Sequence, residues 1–151
     1  MKKYLYMVLL IISSCGYNPV FLNQNTNNLE FKNIIFEGDF DLNNKLTKST
    51  GIVQNNLDNT LNEIVIKSIH SITETSKDSK GDVSSYRSNL TVNVEILNRE
   101  KTIKSKIFSK SFSYGSKNNK FELVKYQNQI KNNLLDQIVQ EIILFLSIND
   151  N

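Results

Sequence analysis

Apolar and polar side chains alternate through residues 86–97 of the chain. A period of two places successive side chains on opposite sides of a strand, so this pattern predicts a strand with one buried face. Residues 63–75 and 102–114 predict two more strands, separated from it by a polar loop at 76–84 and a tight turn at 98–101. In the last strand the apolar parity changes between Ile107 and Phe108, which predicts a β-bulge near Ile107. The alternating apolar residues of the central strand are Tyr86, Leu90, Val92, Val94 and Ile96.

Between residues 121 and 146 the apolar side chains recur every three or four positions, which predicts a long amphipathic helix. Asn119, followed three residues later by Glu122, is typical of a helix N-cap. Leu144 and Phe145 fall outside the apolar stripe and indicate either a second contact surface or a deeply buried helix end. The stripe consists of Ile130, Leu134, Leu135, Ile138, Val139, Ile142, Ile143 and Leu146.

The first third of the mature chain predicts a strand followed by a helix. Residues 31–37 are apolar and β-branched and end at the turn signal Gly38-Asp39. Residues 41–62 predict a helix that is irregular near Gly51, because one helical face carries Leu42, Leu46, Val53, Leu57 and Leu61. The element order predicts an α+β two-layer sandwich, in which two helices pack on one face of a mostly antiparallel four-stranded sheet.

The amino terminus has the three parts of a lipoprotein signal. Lys2 and Lys3 are followed by an apolar run at residues 4–12 that is too short to span a bilayer, which takes ~20 residues. Small residues then precede Cys15, whose thiol can accept diacylglycerol. We therefore predict a signal peptide at 1–14, a lipidated leader and linker at 15–28 and a single α+β domain at 29–151. An ordinary secretory signal with an incidental cysteine, or a short buried strand, is the alternative.

Charge and reactive-residue counts exclude several function classes. The net charge is +3, and without Lys2 and Lys3 the chain keeps 16 basic against 15 acidic residues, too even a balance for a nucleic-acid binder. One cysteine and one histidine cannot form an internal disulfide or a Cys/His metal cluster. We predict that the protein is not an enzyme and has no cofactor besides a covalent N-acyl diacylglycerol on Cys15. His70 is interpreted as a strand histidine with a hydrogen-bond partner.

Four lysines cluster on one predicted hairpin: Lys101, Lys104, Lys106 and Lys110. Three of them share a strand face, and together the lysines can form a positively charged binding site for the phosphates of a lipid or of lipopolysaccharide. The competing interpretation is an edge strand that its lysines protect against aggregation.

Several segments resemble the LptE family of lipopolysaccharide-assembly lipoproteins, in the compact form found in alphaproteobacteria. The matching segments are 13–20 (Ser-Ser-Cys-Gly-Tyr-Asn-Pro-Val), 36–39 (Phe-Glu-Gly-Asp), 79–81 (Ser-Lys-Gly), 106–114 (Lys-Ile-Phe-Ser-Lys-Ser-Phe-Ser-Tyr) and 121–123 (Phe-Glu-Leu). The start around Cys15 is the most specific of them, and only Cys15 carries a functional role over from the family.

The resemblance implies a structural and chaperoning role at the periplasmic face of the outer membrane. The partners it implies are an LptD-type β-barrel, which the protein would plug and help to assemble, and lipopolysaccharide that the two export to the cell surface. The alternative is a generic outer-membrane lipoprotein, either an accessory subunit of a lipid-transport system or an envelope scaffold. A lipid-anchored hydrolase is a third class and would need His70 to meet a nucleophile in a cleft.

Overall fold

The computed structural model of the chain describes residues 29–148. The predicted signal peptide, Cys15 and the 15–28 leader lie outside the described residues. Six strands and two helices follow one another, and we number them in chain order. They are β1 (Leu29–Phe31), β2 (Ile34–Gly38), α1 (Phe40–Thr50), β3 (Ile52–Gln54), β4 (Glu63–Lys77), β5 (Val83–Asn98), β6 (Lys101–Gly115) and α2 (Lys120–Ser147).

The main sheet has four strands in the order β2-β4-β5-β6. β4, β5 and β6 form an antiparallel meander, and β2 joins β4 in parallel. The β5–β6 turn passes through Arg99 and Glu100, which both have positive φ (48° and 66°), as a tight type I′ hairpin turn requires. The predicted α+β class, with a mostly antiparallel four-stranded sheet, is confirmed.

Both helices pack on the same face of this sheet, and the core lies between the two layers. The even-numbered residues of β4, β5 and β6 face the helices, because Ile66, Val94 and Lys106 are in register across the three strands. Val92 and Val94 are fully buried, which confirms the alternation that predicted β5. The predicted stripe of α2 is buried except for the partly covered Ile143. Asn119 caps α2 by accepting a hydrogen bond from the backbone N–H of Phe121 at 2.8 Å.

The first helix is much shorter than predicted. It ends at Thr50 because Gly51 adopts a left-handed conformation (φ 72°), and the hydroxyl of Thr50 donates to the carbonyl of Leu46 at 3.0 Å. The chain then forms β3, which pairs in parallel with β1 in a separate two-stranded sheet. Leu57 is 94% exposed, so the leucine spacing after Gly51 did not mark a helical face. The helix predicted over 41–62 is therefore wrong beyond residue 50.

Three finer predictions are also corrected. The segment 31–37 is two strands, because the chain leaves β1 at Lys32 to donate a hydrogen bond to Asn62. The register shift lies opposite Ile96 and Leu97, so the extra residue is Ile103 and the pairing at Ile107 is regular. The parity change arises because Ile103 and Ile107 are apolar residues on the open face of the sheet. At the end of α2, Leu144 is exposed whereas Phe145 is buried edge-on against Phe108.

Candidate interaction surfaces

Three of the four predicted lysines lie in a row where β6 meets α2. Lys104, Lys106 and Lys110 are on the helix-facing side of β6, opposite Ile96, Val94 and Leu90 of β5. The prediction that three lysines share a strand face is confirmed. Lys101 pairs with Asn98 at the hairpin turn, beyond the bulge and past the end of this row.

The ammonium groups of this lysine row contact the second half of α2. Lys110 forms an ion pair with Glu141. Lys104 donates a 2.7 Å hydrogen bond to the carbonyl of Ile148 and lies 4.7 Å from the ring centroid of Phe145. The last turn of α2 has no basic residue, so Lys104 supplies from the strand the positive charge that favours a helix C-terminus. Lys106 lies 5.2 Å from the ring centroid of Phe108.

These contacts decide what the lysine row can do chemically. An anion that approaches the row meets three positive charges along one edge of the molecule. It competes with Glu141 for Lys110 and with the helix C-terminus for Lys104. The row therefore first holds α2 onto β6, and Lys106, whose ammonium rests on an aromatic face, is its most exposed member.

His70 is a structural histidine. Its Nε2 lies 2.8 Å from the hydroxyl of Ser88 on the neighbouring strand, which confirms the interpretation made from the sequence. Burial, and secondly the charge of Lys131, lowers the pKa of His70, while Asp39 acts in the opposite direction. The imidazole is thus kept neutral near pH 7 in the folded protein.

The face of the main sheet that points away from the helices is left open. It carries many Ser, Thr and Asn side chains. Some bond across the strands: the hydroxyls of Thr91 and Ser109 are 3.2 Å apart, and the guanidinium of Arg87 donates to the hydroxyl of Ser113 at 3.1 Å. Ile69 and Ile107 stand among them, and Ile107 is 67% exposed. A surface of this kind is wettable yet offers isolated apolar contacts.

A cavity of about 380 Å³ opens beside the free edge of β6. Its apolar side is formed by Phe112 of β6 together with Tyr126, Ile130 and Leu134 of α2. Its polar side is formed by three amide side chains of α2: Gln129, Asn133 and Gln137. We name it the edge cavity. Phe112 is 48% exposed because α2 does not close over it at the edge of the sheet.

Within residues 29–148, no group of three or more His, Cys, Asp or Glu side chains is arranged to hold a metal ion. In the same part of the chain, neither helix is both long enough and apolar enough to cross a membrane.

A family model for LptE, described as lipopolysaccharide-assembly, matches residues 39–146, more than two thirds of the chain. The chain belongs to the LptE family. The match begins at the N-cap of α1 and ends one residue before the end of α2, so it includes both helices and the three long strands. The role of the protein is accordingly that of a lipopolysaccharide-assembly lipoprotein of the cell envelope, associated with lipopolysaccharide transport machinery. The LptE family is a family of non-enzymatic lipopolysaccharide-assembly lipoproteins.

Solved lipoprotein structures share this LptE fold. Rare lipoprotein B from Shewanella oneidensis has a TM-score of 0.57 at 13% identity, covering 74% of this chain and 90% of its own. Lipoprotein B from Nitrosomonas europaea has a TM-score of 0.55 at 14% identity, with coverages of 77% and 83%. For a putative lipoprotein from Caulobacter crescentus CB15 the TM-score is 0.54 at 11% identity, with coverages of 76% and 87%. No curated protein sequence matches the chain.

Sequence reasoning missed two surfaces of this LptE protein, the open face of the sheet and the edge cavity. Phe112 shares the parity of the buried Phe108, so the alternation along β6 does not by itself show that Phe112 is exposed. The available signal was the row of hydroxyl residues Ser105, Ser109, Ser111 and Ser113 at the alternate positions of the same strand, which marks a solvent-facing side.

Proposed function

We propose that this protein is the outer-membrane subunit of a lipopolysaccharide translocon, which plugs an LptD-type β-barrel and helps it to assemble. The observation that carries the proposal is the LptE family match over residues 39–146. The protein would be held at the periplasmic face of the outer membrane by acyl chains on Cys15. Two or three acyl chains give stable anchoring, whereas one chain is marginal.

The length of chain between the proposed lipid anchor at Cys15 and the folded part is compatible with a protein that plugs a barrel. Thirteen residues, 16–28, separate Cys15 from the start of β1 at Leu29. Fully extended, they span at most ~45 Å at ~3.4 Å per residue. That reach allows the folded part to enter the lumen of a barrel while the lipid stays in the surrounding membrane.

The surface of the main sheet supports the role of a plug. The lumen of an outer-membrane barrel is polar and water-filled, so a plug needs a wettable surface more than a strong net charge. The open face meets this need with its hydroxyl and amide rows, and its few charges include the Glu37–Lys67 ion pair, whose atoms are 3.1 Å apart.

Contact with lipopolysaccharide phosphates is a further part of the proposal, and it involves Lys101, Lys104, Lys106 and Lys110. Because Lys110 and Lys104 already bond to α2, Lys106 and Lys101 are the residues that we expect to contribute most. Protection of the β6 edge by the same lysines is the competing explanation. Lys101→Ser together with Lys106→Ser should reduce cross-linking to lipopolysaccharide without lowering barrel recovery if the phosphate contact is real.

The test is a mild-detergent pull-down of the tagged protein from its own membranes, followed by mass identification of the partners. We expect a large β-barrel at a one-to-one ratio. A Cys15→Ser variant serves as the control for anchoring and should be lost from the outer-membrane fraction. Recovery of a lipid-transport ABC system in place of a barrel would refute the plug and favour the accessory-subunit alternative. Normal outer-membrane fractionation of Cys15→Ser would refute the lipid anchor.

A further inference from the structure

β6 is a long strand at the edge of the main sheet. It has 15 residues, and its order in the sheet leaves one side without a partner strand in the described part of the chain. An edge of this length presents a row of backbone donors and acceptors that can pair with another chain.

The register shows which backbone groups point outward. The N–H of Ser116 donates to the carbonyl of Ser84 at 2.9 Å, and bonded and non-bonded pairs alternate along an antiparallel ladder. The even-numbered residues of β6 therefore bond to β5. The outward-pointing backbone groups belong to Ser105, Ile107, Ser109, Ser111 and Ser113, four of which have small side chains on the open face.

The edge cavity lies where the side chains of an added strand would go. A strand laid beside β6 would be about 4.8 Å from it and would turn alternate side chains toward α2. The side chain next to Phe112 would then enter the edge cavity, among the apolar and amide side chains of α2. An exposed edge with a side-chain pocket beside it is the arrangement by which proteins bind peptides as added strands.

Charge decides the kind of strand that fits. β6 contains four lysines and no acidic residue. Antiparallel pairing of two β6 strands would set the lysine rows of two copies against each other, so a second copy is disfavoured. A strand with carboxylates at the inward positions beside Lys106 would instead gain favourable contacts.

We propose that β6 binds an extended segment of a partner protein by strand addition. The segment has an apolar side chain that fills the edge cavity and acidic side chains at alternate positions along the lysine row. The inference concerns the chemistry of the segment and is independent of the barrel-plug proposal.

The test uses the purified full chain in mild detergent and a short fluorescent peptide. The peptide has the sequence Thr-Leu-Thr-Glu-Thr-Val-Thr-Glu. A second peptide with the reversed sequence tests the opposite strand direction. We expect saturable binding of one of the two peptides. Methylation of the peptide nitrogens that face β6 should weaken binding at least about tenfold, because strand addition depends on main-chain hydrogen bonds. Replacing both Glu residues with Lys should weaken it by a similar factor at low salt.

Two protein variants test the same surface from the other side. Ser111→Pro removes an outward N–H without removing a bond to β5, and proline is tolerated on edge strands in that orientation. We expect about tenfold weaker binding, with Ser111→Thr as the control that keeps the N–H. Asn133→Trp fills the edge cavity and should weaken binding similarly, whereas Asn132→Trp, on an exposed side of the same turn, should not.

Three results would overturn the proposal. They are no saturable binding of either peptide, undiminished binding of the methylated peptide, or undiminished binding by both Ser111→Pro and Asn133→Trp. A dimer of the full chain that Ser111→Pro dissolves would identify a second copy as the occupant and would also contradict the proposal.

Discussion

Substitution of Phe108 by alanine should show that the packing interface between β6 and α2 contributes much of the stability of the domain. Phe108 is 1% exposed, and its ring meets that of Phe145 edge-on with centroids 5.8 Å apart. A buried Phe→Ala change loses the transfer free energy of the ring and leaves a cavity, at a cost of about 3–5 kcal/mol. At about 4 °C per kcal/mol for a domain of this size, Phe108→Ala should lower the Tm by about 12–20 °C.

The matched control is Phe112→Ala, on the same strand and the same face. Phe112 is 48% exposed beside the edge cavity, so its removal opens no closed void, and the expected cost is about 1 kcal/mol. Urea unfolding followed by far-UV circular dichroism measures both variants, and the m-values should stay unchanged. Equal losses of stability would mean that α2 covers the whole of β6 in solution. The placement of the edge cavity would then be wrong.

Three further perturbations test the backbone, the histidine and the helix cap. Gly38→Ala would place a Cβ 2.1 Å from the carbonyl oxygen of Ser68 and should unfold the protein. At Gly51 a Cβ meets no atom within 4 Å, so Gly51→Ala should cost only about 1–2 kcal/mol of stability for its positive φ. Similar urea midpoints for the two variants would contradict this. Because burial lowers the pKa of His70 below its unfolded value of 6.5, the unfolded state binds the proton more readily. The contribution of His70 to the free energy of unfolding should therefore be fully present above about pH 6.5 and be lost as the pH drops below it. A His70→Gln variant whose free energy of unfolding has the same pH dependence would exclude the histidine as its source. Asn119→Ala removes the N-cap of α2 and should cost about 1 kcal/mol, with faster amide exchange confined to the first turn; uniform acceleration along α2 would argue against a local cap.

β4 and β5 were predictable because their buried positions follow a period of two over many residues. Both strands bury one face against the helices, so their inward positions are mostly apolar and the alternation is visible in the sequence. The stripe of α2 was predictable for the same reason at a helical period. Where a segment is short, the periodicity had too few residues to decide, as for β1 and β3, which pair with each other across more than twenty residues.

The end of α1 shows how a single backbone angle overrides side-chain spacing. Leu42 and Leu46 are buried on the helix, and Val53, Leu57 and Leu61 continue their spacing in the sequence. Gly51 nevertheless ends the helix, because its left-handed conformation lets its N–H bond to the carbonyl of Thr47. A glycine next to threonines that bond back to the helix is a local stop signal, and the local signal was stronger than the longer pattern.

The lysine row illustrates a limit that is inherent in sequence reasoning about charge. Spacing placed three lysines on one face of β6, but it could not tell whether that face met solvent or α2. The structure places Glu141 and the carbonyl of Ile148 against two of them, and neither partner is near in the sequence. The ammonium groups of Lys104 and Lys110 therefore stabilise the contact between β6 and α2, and a ligand can bind them only by competing with these partners. A partner of this LptE protein is accordingly expected to use the open face and the free edge of β6, which can be covered without breaking contacts that hold the fold together.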